Sequence, residues 1–265
     1  MSEIKTAATA SFTMNYFSFG KGEKTLVILP GLSVQSVMNS ADIIEKAYEK
    51  IAESFKVFVF DRRNELPSSY SVYDMADDTA EVFETLGLKD VYIFGASQGG
   101  MIGLALASEY PSLVKKLVLG SSAVHITDGQ FSSINKWIEL AKKGDGPELN
   151  IEMGKVLYPE AIFEKFKDTL EKMGETITEN EFRRFIAFAE GTKGFDVTEK
   201  IENIKCPVLS LGSRDDKVLP GAAETIEKLF SGKKDFESYM YEGFGHAAFD
   251  TAPDYKERML KFLLK

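Results

Sequence analysis

The chain has 265 residues, 44% of them hydrophobic and 28% charged, which suits one large α/β domain carrying an insertion, or two small domains. A formal net charge of −9 argues against nucleic acid and anionic membrane surfaces as partners, and no apolar run approaches the ~20 residues that a bilayer span needs. The first residues lack the basic-then-apolar layout of a secretory signal, and the single cysteine, Cys206, excludes an internal disulfide, so a cytoplasmic protein is expected.

In chain order, Phe12–Phe19 reads as a strand closed by Gly20 and Gly22. Thr25–Leu29 is a fully buried strand that ends at Pro30, Gly31 and Leu32. Ile44, Ala47, Tyr48, Ile51 and Phe55 recur at helical spacing and predict one helix. Lys56–Phe60 is the next strand, leading into a loop at Asp61–Asn64. Met75, Thr79, Val82, Phe83 and Leu86 mark a helix face that Gly87 stops. Val91–Phe94 is a buried strand, followed at once by Gly95-Ala96-Ser97-Gln98-Gly99-Gly100 and a small, helix-compatible run, Met101–Ser108. Lys116–Leu119 is another buried strand.

Strands without polar alternation, separated by amphipathic helices, argue for a parallel sheet covered on both faces. Ligands of such sheets bind beyond the carboxyl ends of the strands. The Pro30–Leu32 loop, the Asp61–Asn64 loop, the turn at Ser97 and Ser121–His125 are therefore expected to meet there.

From about Val124 to Asn203 the rhythm breaks and helical stripes take over. Ile134, Trp137, Ile138 and Ala141 form one, Phe163, Phe166, Leu170 and Met173 a second, and Phe182, Phe185, Ile186 and Ala189 a third. Pro159 suits the first turn of the second, and Lys143–Pro147 reads as a loop. From Ala123 to Asn203 there are 11 Lys and Arg against 16 Asp and Glu. The sheet resumes at Pro207–Gly212, a helix carries Ala222, Ile226 and Leu229, and Phe236–Met240 is the last strand. His246 follows it, and Pro253 opens a terminal helix bearing Tyr255, Met259 and Phe262. Residues 1–123 and 204–265 are thus expected to form the core domain, with 124–203 a helical cap over the carboxyl ends of the strands. Cys206 reads as an inert buried thiol.

The pattern Gly95-x-Ser97-x-Gly99 arises by chance in roughly one chain in ten of this length, so its setting carries the signal. A buried strand, a sharp turn and a helix lift the serine hydroxyl clear of the sheet, and glycines two before and two after relieve the crowding. A phosphate-cradling turn, the alternative, would want G-x-G-x-x-G or a Gly-Lys-Ser/Thr ending, which the stretch lacks.

With this turn and the order Ser, acid, His, the chain resembles the α/β-hydrolase family over nearly its whole length. The resemblance implies a mostly parallel sheet flanked by helices, Ser97 as nucleophile and His246, in Gly243-Phe-Gly-His246, as base. It implies an acid after the preceding strand. Asp216 leads into Lys217–Pro220 as the family's Asp-x-apolar-apolar-Pro does, and Asp215, one place earlier, is the alternative. The carboxylate is needed to fix the imidazole tautomer, and the imidazole to take the proton from a hydroxyl that is a poor nucleophile at neutral pH. His125, the second histidine, precedes the acid and reads as a pocket or surface residue. The resemblance also implies an oxyanion hole from the backbone N–H groups of Leu32 and Gln98. The chain has Pro30-Gly31 where the family usually has His-Gly, Asp61-Arg62-Arg63-Asn64 where Asp-x-Arg-Gly is usual, and Gln98 where many members have methionine.

The expected function is a serine hydrolase that cleaves a small carboxylic ester or related acyl compound through an acyl-enzyme. Acyltransferases, C–C bond hydrolases and cofactor-free haloperoxidases share the fold, and a ligand-binding protein that keeps the triad is the rival of another class. No cofactor or metal is implied, because two histidines without a cysteine or paired-carboxylate cluster make a poor metal site. The expected partner is a small-molecule acyl substrate, and the sequence leaves the oligomeric state open.

Overall fold

The computed structural model describes residues 2–265. Eight strands form one sheet, in the spatial order β1 (Lys5–Ala8), β2 (Thr13–Phe19), β4 (Phe55–Arg63), β3 (Lys24–Leu29), β5 (Val91–Ala96), β6 (Val114–Gly120), β7 (Val208–Ser213) and β8 (Phe236–Tyr241). β2 pairs antiparallel with β1 and β4, and every other pairing is parallel. The connections are helical: α1 (Ala41–Ala47), α2 (Glu49–Ala52), α3 (Val72–Thr85) and α4 (Gln98–Glu109). Between β6 and β7 come α5 (Asp128–Lys142), α6 (Gly146–Leu157), α7 (Glu160–Gly174) and α8 (Glu179–Glu190). The chain ends with α9 (Ala222–Phe230), α10 (Ala248–Thr251) and α11 (Tyr255–Leu264).

The uninterrupted apolar strands have a direct cause. Successive side chains of a strand point to opposite faces, so a sheet covered twice needs apolar residues at every position. Val27, Leu29, Ile93 and Leu117 pack with Met75 and Phe83 of α3, Ile102 of α4 and Ile226 of α9. Their neighbours Leu26, Ile28, Phe94 and Val118 pack on the other face with Ile51, Tyr255, Met259 and Phe262. α5 and α8 join the first of these clusters through Ile134, Trp137, Ile138, Phe185 and Phe188. The helices between β6 and β7 therefore share the core of the sheet. Their two ends are also stitched together, the Val197 N–H donating to Val124 O at 2.8 Å and the Ile126 N–H to Phe195 O at 2.9 Å.

Three helix starts follow from local sequence. Ser71, Thr127 and Thr178 cap α3, α5 and α8, and Asp74, Gln130 and Glu181 three residues on return the bond to the cap backbone.

Elsewhere the structure departs from the expectation. The predicted helix through Phe55 is two short ones, because Tyr48 leaves helical geometry at φ −110°, ψ 15° and Phe55 is already the first residue of β4. β4 runs on through Asp61–Arg63, where a loop is expected. Beyond a bulge in β2, Met14 still pairs with Arg63, whose guanidinium lies on the Phe12 ring and bonds Asp78. α6 starts inside the expected Lys143–Pro147 loop, and its glycines hide it from a propensity reading. They are needed for contact: a Cβ on Gly146 would lie 2.2 Å from Gly174 O, and one on Gly154 2.6 Å from Leu170 Cδ1. Pro159 is the N-cap of α7. On that helix Phe163 is buried, whereas Phe166 is 51% and Met173 45% exposed. Among the described residues no helix is long and apolar enough to cross a membrane.

Candidate active site

Ser97 sits between β5 and α4 at φ +50°, ψ −118°, a conformation that L-residues avoid. Its backbone is held there from three sides. Its N–H donates to Gly120 O at 2.7 Å, and its carbonyl accepts from the Gly100 N–H at 2.9 Å and Ser122 Oγ at 2.8 Å. The flanking glycines are sterically required. A Cβ on Gly95 would stand 2.3 Å from Gly99 O, and one on Gly99 2.0 Å from Leu29 O. Ser97 itself is half-buried.

His246 and Asp216 meet after β8 and β7. His246 Nδ1 lies 2.7 Å from Asp216 Oδ2, and both side chains are buried. Asp216 Oδ1 accepts the N–H groups of Val218 and Leu219 at 2.8 and 2.9 Å, which fixes the carboxylate with its second oxygen toward the imidazole. Asp215 turns elsewhere. It accepts from Ser213 Oγ at 2.8 Å and from the Gly243 and Gly245 N–H groups at 3.0 and 3.1 Å. It thereby ties β7 to the turn that presents His246. Among the described residues no hydrogen bond joins Ser97 to His246.

The Pro30–Leu32 loop abuts the serine, since a Cβ on Gly31 would lie 3.3 Å from Ser97 Cβ. Gln98 opens α4, so its N–H has no partner within the helix. Its side chain is buried and fully engaged: Oε1 accepts from Arg62 Nη2 at 2.9 Å, and Nε2 donates to Phe188 O at 2.6 Å and Thr192 Oγ1 at 2.9 Å. The same Arg62 Nη2 donates to Pro30 O at 2.8 Å. Burial pulls the Arg62 guanidinium below its ordinary pKa, with Asp61 opposing. Arg184 of α8 closes the cluster, donating to Arg63 O at 2.8 Å and lying 3.7 Å from Asp61.

The helices between β6 and β7 touch this edge at a second place. The Ala247 N–H donates to Leu157 O at 3.0 Å, next to His246. His125 lies apart from the Asp216–His246 pair. It bridges to Asp196 where the insertion leaves and rejoins the sheet, half-buried, with Nδ1 unpartnered. Among the described residues no three His, Cys, Asp or Glu side chains are grouped to hold a metal ion. The roles of the Arg62 and Gln98 side chains and of the Asp215 clamp are not legible in the sequence alone. The one signal in the sequence is Gln98 itself, which stands where many family members have methionine; Arg62 falls on the open position of Asp-x-Arg-Gly and gives none.

A strained serine between β5 and α4 and a His–Asp pair after β8 and β7 define a fold class, and comparison with known proteins agrees. Residues 24–253 match the model of the alpha/beta hydrolase fold, and the chain belongs to that family. Among curated relatives it is similar to the "Putative carbamate hydrolase RutD" of Agrobacterium fabrum, 27% identical over 232 residues, covering 82% of this chain and 85% of the relative. Among solved structures it is similar to MGS-M2, an alpha/beta hydrolase enzyme from a Medee basin deep-sea metagenome library, with a TM-score of 0.86, 20% identity and 98% of each chain covered. An esterase from Thermogutta terrifontis superposes with a TM-score of 0.79 at 21% identity, covering 99% of this chain and 98% of that one.

Proposed function

We propose that the protein is a serine hydrolase acting on a small carboxylic ester or a related acyl compound, carbamates included, through an acyl-enzyme. The observation that carries this reading is the buried His246–Asp216 pair, 2.7 Å apart, in loops at the same sheet edge as the strained Ser97. Ser97 Oγ attacks the carbonyl carbon while the second ring nitrogen of His246 takes its proton. Asp216 keeps the Nδ1–H tautomer and stabilises the imidazolium. The N–H groups of Leu32 and Gln98 receive the charge that develops on the carbonyl oxygen. The imidazolium then protonates the departing alkoxide or amine, and water, deprotonated by His246, releases the acid and frees the serine. A carbamate carbonyl meets the same groups, which is where the similarity to the RutD-named relatives enters.

In this reading residues 124–203 are a cap that selects the substrate. Its support is two hydrogen bonds, from Gln98 Nε2 to Phe188 O of α8 and from the Ala247 N–H to Leu157 O, each beside a residue of the proposed machinery. The test is fluorophosphonate labelling with peptide mapping, alongside turnover of short acyl esters and N-substituted carbamates. The expected result is one label, on Ser97, lost in Ser97→Ala. A label on another serine, or none on folded protein, overturns the proposal.

A further inference from the structure

Arg62 is only 6% exposed, and both hydrogen-bond acceptors of its Nη2 are neutral oxygens. Its Nε is buried without a partner. A cation held so is costly to desolvate, and an apolar side chain of similar volume would fill the same space at lower cost. What an apolar side chain would not do is tie together the two segments that Nη2 joins. One acceptor, Pro30 O, lies two residues before Leu32. The other is the side chain of Gln98. Leu32 and Gln98 are the two residues whose N–H groups form the oxyanion hole in the reading above, on which this inference rests.

We propose that Arg62 is a positioning residue for that hole, and that Gln98 carries the constraint to the cap. With one nitrogen bonded to both sides, the Pro30–Leu32 loop cannot drift from the first turn of α4, so the two N–H groups keep their separation. Gln98 Nε2 meanwhile holds Phe188 O and Thr192 Oγ1, so the seating of α8 and the shape of the hole depend on one another. Neither side chain touches the reacting atoms. Neither is hydrogen-bonded to the Ser97, His246 or Asp216 side chain, and the Gln98 backbone donor survives every substitution at that position except proline. Arg184, which reaches the backbone carbonyls of Arg62 and Arg63 from α8, holds the strand that carries Arg62.

The test measures kcat and KM of full-length protein on a short aryl ester, together with the inhibition constant of a boronic acid, which adopts the tetrahedral oxyanion. The variants are Arg62→Met, Gln98→Met and the pair combined. Displacing a hole donor by an ångström is expected to lower kcat about 10²-fold in Arg62→Met. KM should stay within about twofold, because the ground-state carbonyl is held only weakly there, and boronate affinity should fall with kcat. Gln98→Met should lose kcat in the same sense. The double variant should be no worse than the more impaired single, as for two groups acting through one contact. A merely structural role would lower the melting temperature and leave kcat intact below it, and that result overturns the inference. So does a change confined to KM, or simple multiplication of the two losses. If Arg62→Met fails to fold, Gln98→Met decides alone: a lowered kcat with preserved KM supports the relay, and an unchanged kcat removes it. A wild type that neither turns over ester nor accepts fluorophosphonate sinks the hydrolase reading and the relay together. An active wild type with unimpaired variants sinks the relay alone.

Discussion

Ser97→Gly is expected to be more stable than Ser97→Ala, although both remove the candidate nucleophile. At φ +50°, ψ −118°, a side chain at Ser97 sits in a region where non-glycine residues cost about 1–3 kcal/mol. The cost is tolerated because the Gly120, Gly100 and Ser122 hydrogen bonds and the close approach of Gly95 and Gly99 over-determine the backbone. Glycine removes the strain but adds unfolded-state freedom of ~0.4–1 kcal/mol. It also gives up a half-buried Cβ, worth about half of the ~0.8 kcal/mol of a fully buried methylene. The net is about 1 kcal/mol in favour of Ser97→Gly over Ser97→Ala, a comparison in which the hydroxyl cancels because both variants lack it. In a chain of this size that corresponds to a rise of about 2 °C in melting temperature. The measurement is urea unfolding of both variants by tryptophan fluorescence and circular dichroism, with equal m-values required for the comparison. If Ser97→Gly is less stable than Ser97→Ala by the usual glycine cost, the turn is not strained and the reasoning fails.

The neighbouring acids should separate cleanly. Asp216→Asn is expected to lower kcat roughly 10⁴-fold by disturbing the His246 tautomer, and Asp215→Asn far less, with steady-state kinetics deciding; reversed severities would exchange their roles. Burial raises the Asp215 pKa, but the hydrogen bonds from Ser213, Gly243 and Gly245 help to lower it by more, so the net shift is downward. A carboxyl depressed in the folded state contributes fully above its unfolded pKa of ~3.9 and loses that contribution as pH falls through the folded value. Urea midpoints of wild type and Asp215→Asn should therefore differ at neutral pH and converge in acid below ~3.9; a constant difference would refute this. Burial pushes the Cys206 thiol up to about 12, so a disulfide reagent at pH ~8 should leave it unmodified in folded protein and titrate one thiol in denaturant.

The parts that the sequence discloses are those fixed by short-range geometry. The serine turn is readable because its steric demands fall on residues two positions away, and Gly95 and Gly99 meet them. The pairing of Asp216 rather than Asp215 with His246 follows from a local turn: Asp216 Oδ1 bonds the N–H groups two and three residues on, which points Oδ2 outward. The sheet is readable because burial on both faces writes itself into every position of β5 and β7 and into Leu26–Leu29 of β3. β1 is not, since it is an edge strand with three of its four residues exposed and carries no such pattern.

What stays hidden depends on partners distant in the chain. Gln98 reads as a lone polar residue in an apolar helix until Arg62, 36 residues before it, and Phe188, 90 after it, are known to be its neighbours. α6 fails a propensity reading for the same reason, because Gly146 and Gly154 are required by the approach of α7 and by nothing in their own helix. Substitution at a buried polar site leaves a partner unsatisfied, and an unsatisfied group inside a protein costs about 1–3 kcal/mol. A departure from a family pattern that introduces a buried polar group is therefore stable only if a second position answers it. Gln98 in the place of methionine is such a departure, and Arg62, at the open second position of the Asp-x-Arg-Gly pattern, answers it: the two are distant along the sequence but joined by a single 2.9 Å contact in the structure.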